Sequence, residues 1–355
     1  MAASLTQTAI ITRKIIRFAV YITVFVISAR TVFLTGAKIY RHFFPVPPPD
    51  ATVEFGRLPA LNFPIKQGLP SLTLNLELTE GQFPLLPEQA KVYFMPKPAA
   101  SLLGLEDAQA KAISFGFLPD AQQVTQAIYR FNHKSTPATL EINIVTGVFS
   151  ISYDLSKDTS LLELRPPAPE VATEAARSAL SSADLLAADL SGPTSHEFLV
   201  PHEFLQTEGK PFVSALSQSE SNFVRINLFR KDYDGFPSLT PNPQRANVWF
   251  IVSGSKERDK DIFAGEYHYF PVDANEFATY PLKTSEVAWE ELQGGGGYIA
   301  SLGTNEDGNI TIRRIYLAYY DADEHTDFFQ PIVVFEGDGE FSAYVPAVSS
   351  EYYGE

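Results

Sequence analysis

Residues 18–37 read FAVYITVFVISARTVFLTGA, an apolar run that, as a helix rising 1.5 Å per residue, would cover about 30 Å, one hydrocarbon core. The run predicts a single N-terminal transmembrane helix over 18–37 behind a short cytoplasmic tail, 1–17. Arg13, Lys14 and Arg17 precede it, and Lys38 and Arg41 follow it. Three basic residues against two, by the positive-inside rule, place the C-terminal body outside the cytoplasm. The expected localisation is therefore the plasma (inner) membrane, single-pass, with the membrane contacted through residues 18–37. Arg30 lies within the run, in its outer third, from where its guanidinium can snorkel to the headgroups; the alternative is a polar contact with a partner helix. A cleaved signal peptide is the rival reading. Thr35 and Ala37 fit a small-residue cleavage site, but the apolar region is long for an h-region.

Of 27 basic and 42 acidic residues, six basic and no acidic ones lie in the first 49, leaving 21 against 42 in the remainder. A body this acidic repels polyanions, so nucleic acid is not an expected partner. The chain has no cysteine, which excludes disulfides, thiol catalysis and cysteine-based metal sites. About 300 residues beyond the apolar run suffice for two domains. Abundant Phe and Tyr in alternating segments favour sheets.

Residues 38–68 contain PVPPP at 45–49 and are read as a proline-rich, extended spacer. A first α+β domain is expected over 69–160. It opens with Leu72, Leu74, Leu76 and Leu78 alternating as a half-buried strand. Residues 92–95 suggest another strand. Residues 105–115 suggest a helix with acids in its first turn, Gly116 after it, and a stripe of Ala108, Ala112 and Phe115. Strand patterns follow at 128–131, 140–145 and 148–153, the last two joined by Thr146-Gly147. RPPAP at 165–169 marks a boundary, and a second α+β domain is expected over 165–348, with a tail at 349–355. It begins with a helix over 170–186, its buried face read as Val171, Ala175, Ala179 and Ala183. Strands are expected at 223–229, 248–252, 310–320, 332–335 and 341–345. Residues 232–244, rich in Pro, Gly and Asn, are expected to be irregular. Thr284 should cap a helix over 285–292, with Glu286 in its first turn and Gly294 to Gly297 after it. Gly337, Asp338 and Gly339 should form a hairpin loop. The expected fold class is thus α+β: one transmembrane helix, then two bodies of antiparallel sheet packed with helices.

No catalytic, cofactor-binding or metal residues are assigned. His42, His133, His196, His202, His268 and His325 are scattered, and His196 and His202 lack the i, i+4 spacing of a ligand pair. Asp321, Asp323, His325 and Asp327 alternate like a calcium loop, but Thr326 and Ile332 stand where that loop needs Gly and Glu. The acidic turn around Asp307 (NEDGN, 305–309) carries the same open metal question. Ser253-Gly254-Ser255 lacks the nucleophile elbow. The glycines at 294–297 follow a helix instead of opening one, so they do not cradle phosphate. Tyr267, Tyr269 and Phe270 could line a groove or belong to a strand core.

Residues 280–348 carry a distinctive order. Tyr280-Pro281-Leu282-Lys283 leads into a helix with Ala288, Trp289 and Leu292. The strand Ile315-Tyr316-Leu317-Ala318-Tyr319-Tyr320 follows, then Gln330-Pro331-Ile332-Val333-Val334-Phe335, and Phe341-Ser342-Ala343-Tyr344-Val345 returns. This order resembles the YycI/YycH-type membrane-anchored regulators and, more loosely, PepSY-like modules. The resemblance implies a non-enzymatic extracytoplasmic regulator that contacts a membrane sensor histidine kinase, with no catalytic residues and no cofactor. The alternative is an anchored envelope hydrolase acting on glycan or peptide through dispersed carboxylates. Two facing acids in a cleft would favour the hydrolase, and a filled sheet–helix body the regulator.

Overall fold

The computed structural model describes residues 18, 19, 21–36, 49–66, 68–190, 199–208 and 211–354. The expected tail 1–17, residues 38–48 and 67 of the expected proline-rich spacer, and Arg13, Lys14, Arg17, Lys38, Arg41, His42 and His196 lie outside the described residues. The chain divides into two units, Met1–Asp50 and Ala51–Glu355.

The first unit contains helix α1, continuous over the described residues 21–36, with exposed side chains throughout. Its Thr23 and Thr31 hydroxyls donate back to the Ala19 and Ile27 carbonyls, each at 2.9 Å. Among the described residues no helix is long and apolar enough to cross a membrane. This overturns the transmembrane helix expected over 18–37 and the single-pass plasma-membrane localisation drawn from it.

The second unit is mostly β. Its elements in order are β1 (Thr73–Leu76), β2 (Gln89–Phe94), α2 (Gly104–Ser114), β3 (Gln122–Gln123), β4 (Ile128–Asn132), β5 (Ala138–Asn143) and β6 (Phe149–Tyr153). Next come α3 (Pro169–Ser182), β7 (His202–Gln206), β8 (Val213–Ser214), β9 (Phe223–Asn227), β10 (Ser238–Leu239), β11 (Val248–Ser253), α4 (Arg258–Asp261), β12 (Ile262–Tyr267) and β13 (Asp273–Pro281). The chain closes with α5 (Ser285–Gln293), β14 (Tyr298–Ser301), β15 (Asn309–Tyr320), β16 (Phe328–Phe329), β17 (Pro331–Gly337) and β18 (Phe341–Pro346).

Three sheets result. The largest runs β3-β4-β5-β6-β12-β11-β9-β7-β8. The second runs β1-β15-β17-β18-β14, with β10 also on β15. The third is β13-β2-β16. Two separate antiparallel bodies were expected, and the pairing contradicts this. β6 pairs with β12 in register Phe149↔Tyr267, so the expected boundary at 160–165 falls between two strands of one sheet. β1 joins the C-terminal sheet by running parallel to β15, Thr73↔Asn309, and β10 also runs parallel to β15. β2 pairs with β13. The α+β description therefore gives way to a mostly β unit whose early strands are shared out among three sheets.

Period-2 patterning explains why the largest sheet is covered on both faces. Along β11 (VWFIVS) every residue is buried. Val248, Phe250 and Val252 face one core together with Ala108 and Ala112 of α2 and Ala172, Ala176 and Leu180 of α3. Trp249 and Ile251 face the other, with Leu155, Leu161 and Phe263. A strand buried on both faces reads as a continuous apolar run. The second sheet packs Leu317, Val333 and Phe335 against Trp289 and Leu292 of α5, and Tyr320, Ile332, Val334 and Tyr344 on its opposite face. Thr284 caps α5 as expected, its side chain accepting from the Val287 N–H.

The face of α3 differs from the expectation by one residue. Ala172, Ala176 and Leu180 are buried, while Val171 is 60% exposed. A shift of one residue turns a helix by about 100°, and this rotation leaves Ala175 and Ala179 on the wall of a groove described below.

The turn before β15 sits against the β17–β18 hairpin. Gly303 has φ +59°, and a Cβ there would fall 1.7 Å from the Gly339 carbonyl oxygen. Gly303→Ala is therefore expected to destabilise by about 1–3 kcal/mol through backbone displacement and strain, read from urea unfolding midpoints. An unchanged midpoint would show that the turn moves aside freely.

Candidate functional site: a groove between two helices

On the helix-bearing face of the nine-stranded sheet lies a groove of about 470 Å³. Ser114, Phe115 and Gly116 at the end of α2 form one wall, and Ala175, Ser178, Ala179 and Ser182 of α3 the other. Its mouth is bordered by the β4–β5 turn, with His133 and Lys134, and by Asp259 and Asp261 of α4.

Local sequence explains the mouth. His133 closes the hairpin, its N–H donating to the Ala138 carbonyl at 3.0 Å. Its ring Nδ1 accepts the backbone N–H groups of Ser135 and Thr136, both at 3.2 Å. Asn143 does the same at the next turn, where its Oδ1 accepts from Val145 at 3.0 Å and Thr146 at 3.2 Å. His133 is thus an imidazole performing an Asx-turn. With Nδ1 accepting, the neutral ring carries its proton on Nε2. Nε2 points toward Gly116, where a Cβ would lie 2.9 Å away. Gly116 has φ +85° and ends α2, so glycine is required there on both counts. The ring also stands edge-on to Phe117, centroids 5.0 Å apart. Burial pushes the His133 imidazole below its ordinary pKa, with Asp259 opposing and Lys134 adding to the shift.

The turn is fastened to α4. The Ser135 hydroxyl donates to Asp259 Oδ2 at 2.9 Å, and Lys134 Nζ lies 3.3 Å from Asp259 Oδ1. The Ser135 bond and then Lys134 hold the Asp259 carboxyl below the usual carboxylate range. Ser135, His133 and Asp259 are the residue types of a nucleophilic triad, but the order is wrong. Serine donates directly to aspartate, and the imidazole bridges nothing.

The other residues weighed from sequence fall elsewhere. His202 is exposed on β7. His268 Nδ1 lies 3.0 Å from the Asp323 carbonyl oxygen, and His325 Nε2 lies 3.2 Å from that of Pro96. Asp307 accepts from the backbone and side chain of Asn309. Ser253 donates to the Lys260 carbonyl. Among the described residues no group of three or more His, Cys, Asp or Glu side chains is placed to hold a metal.

Asp321 joins a buried ionic cluster that sequence did not reveal. Arg230, 1% exposed, donates from Nε to Asp321 at 2.8 Å, from Nη1 to Asp189 at 2.6 Å and from Nη2 to the Phe270 carbonyl. Tyr233 and Tyr269 also donate to Asp189, and the guanidinium lies 4.4 Å from the Tyr269 ring centroid. Burial acts to raise the Asp189 carboxyl, yet Arg230 and the two phenols outweigh it and hold it low. For Asp321 burial prevails and the carboxyl is raised. Tyr267 stacks on Phe149 with centroids 5.1 Å apart, so Tyr267, Tyr269 and Phe270 belong to core packing and to this cluster. The bonds from Arg230, Tyr233 and Tyr269 all end on the protein itself, which makes the cluster a structural rivet.

No family model matches the chain, and no curated protein matches it. Among solved structures, it is similar to an uncharacterized protein from Eubacterium rectale, with 12% identity, 76% of this chain and 85% of that chain covered, and a TM-score of 0.39. A likeness at that level carries no argument about function, and these comparisons lend no support to the resemblance to the YycI/YycH-type regulators.

Proposed function

We propose that the protein is a non-enzymatic binding and regulatory module whose partner segment or ligand sits in the groove between α2 and α3. The observation that carries this reading is the commitment of His133. Its Nδ1 is spent on two backbone amides, so the ring offers the groove a hydrogen-bond donor rather than a base. The wall of α3 supports it, with small side chains at 175, 178, 179 and 182 that admit a close-lying ligand. The sensor histidine kinase implied by the resemblance over 280–348 is the first partner to test.

Two acids, Asp259 and Asp261, line the same groove, and this favours a second reading, a hydrolase of glycan or peptide. Asp259 is held ionised by Ser135 and Lys134, so it suits a charge-stabilising role better than that of a proton donor.

Ser178→Trp fills the groove from its wall. It is expected to reduce capture of the kinase extracellular domain at least about tenfold, with an unchanged melting temperature. Equal capture by both proteins would remove the groove from the function. Turnover of an oligosaccharide or peptide by the wild type, abolished by D259N or D261N, would establish the hydrolase instead.

A further inference from the structure

The turn that borders the groove depends on one lone pair of an ionisable ring. We infer that protonation of His133 opens the β4–β5 turn and releases its Lys134–Ser135 clasp on Asp259, making the groove mouth a proton-operated gate. Its link to binding rests on the reading above; the gate itself does not.

A protonated Nδ1 cannot accept, so the Ser135 and Thr136 N–H groups would lose their acceptor and face a proton instead. Those two residues adjoin the clasp, since Ser135 holds Asp259 at 2.9 Å and Lys134 holds it at 3.3 Å. The turn has little in reserve: the Thr136 hydroxyl oxygen is buried and without a hydrogen-bond partner among the described residues. Opening would give that oxygen water. Asn143 holds the neighbouring turn with an acceptor that does not titrate in this range, so one protein contains both the switch and its control.

The charges around the ring are Lys134 on the turn itself, Asp259 on α4 and, further along α4, Asp261. The walls from α2 and α3 bring Ser114, Ser178 and Ser182 and no titratable group into the groove. Lys134 repels an imidazolium and Asp259 attracts it. Burial is the largest influence and lowers the ring below its ordinary 6.5. A histidine depressed in the folded state contributes stability that is fully present above pH 6.5 and is lost as pH falls through the folded value.

Amide hydrogen exchange on the full chain tests this, with rates corrected for intrinsic pH dependence. Between pH 7.5 and 5.0, protection at Ser135 and Thr136 is expected to fall about tenfold or more in the wild type. It should hold in H133N, whose amide oxygen can replace Nδ1 as Asn143 shows. Val145 and Thr146 should stay protected in both. No fall in the wild type, or an equal fall in H133N, overturns the gate. Should H133N fail to form the turn, the wild type still decides. The imidazole resonance and the Ser135 and Thr136 amide shifts must move with one midpoint below pH 6.5, and separate midpoints overturn the proposal. No ligand is used, so this result and the Ser178→Trp result stand or fall independently.

Discussion

Arg230→Met is expected to lower unfolding free energy by about 3–5 kcal/mol, because it strands Asp189 and Asp321 in a dry site without their cation. Arg230 is effectively inaccessible, and it links three separate stretches of chain: the 3₁₀ turn at Asp189, the segment after β9, and the end of β15. A methionine keeps most of the apolar bulk, so the loss reports charge and hydrogen bonding more than a cavity. The combination R230M/D189N/D321N removes all three charges together and is expected to recover part of the loss, since a neutral buried group costs less than an unpaired ion. Acid titration gives an independent check. Asp189 is depressed in the fold, so its contribution is present above its unfolded value of 3.8 and is lost as pH falls through the folded one. In R230M the acid limb of the stability curve should flatten. A urea midpoint within experimental error of the wild type would show that the cluster contributes nothing net.

Trp289→Ala is expected to cost a similar amount, about 3–5 kcal/mol, for a different reason. Trp289 is 8% exposed and shares one core with Leu292, Leu317 and Phe335. Its ring centroid is 5.9 Å from that of Phe335. Truncation leaves a void under α5 that sheet strands, fixed by their ladders, cannot close. Trp289→Phe should restore most of the stability. A midpoint unchanged by W289A would mean that α5 repacks without strain, against the density expected of such a core.

What sequence reveals here is local. β4, β5, β6, β15, β17 and β18 read clearly because their apolar residues alternate and hairpin signals join them. α2, α3 and α5 read clearly because of their stripes and the Thr284 cap. Pairing partners leave no such trace. Nothing in LTLNLEL announces that Leu74 lies beside Ile310, or that Tyr267 pairs with Phe149. The two-body layout failed for that reason, since RPPAP at 165–169 resembles a linker although the sheet passes around it. β10 was hidden because two buried residues, Ser238 and Leu239, carry no periodicity. The membrane span failed because an apolar run was equated with a spanning helix. The groove could have been found only partly. Alanines at 175 and 179 were recognised as one face of α3, but the neighbouring face is the one that enters the core. His133 was grouped with scattered histidines, although its place at the head of an HKST turn matches that of Asn143 one strand later. The Arg230 cluster, assembled from residues 189, 230, 269 and 321, has no sequence signal.

The parallel pairing of β1 with β15 has a consequence for the ribosome. Glu77, just past β1, meets Arg313, 236 positions further along the chain, and Leu58 is bonded to Tyr352. At about 5–20 residues per second of translation, β1 and β2 emerge some 10–45 seconds before their partners exist. The leucines of β1 must wait all that time with no sheet to join. Topologies closed by such distant partners fold slowly, and the sheet cannot take in β1 until β15 has left the exit tunnel. The leucines of β1 therefore stay without their sheet until residue 309 is made, and a message truncated before that codon leaves β1 with no partner strand.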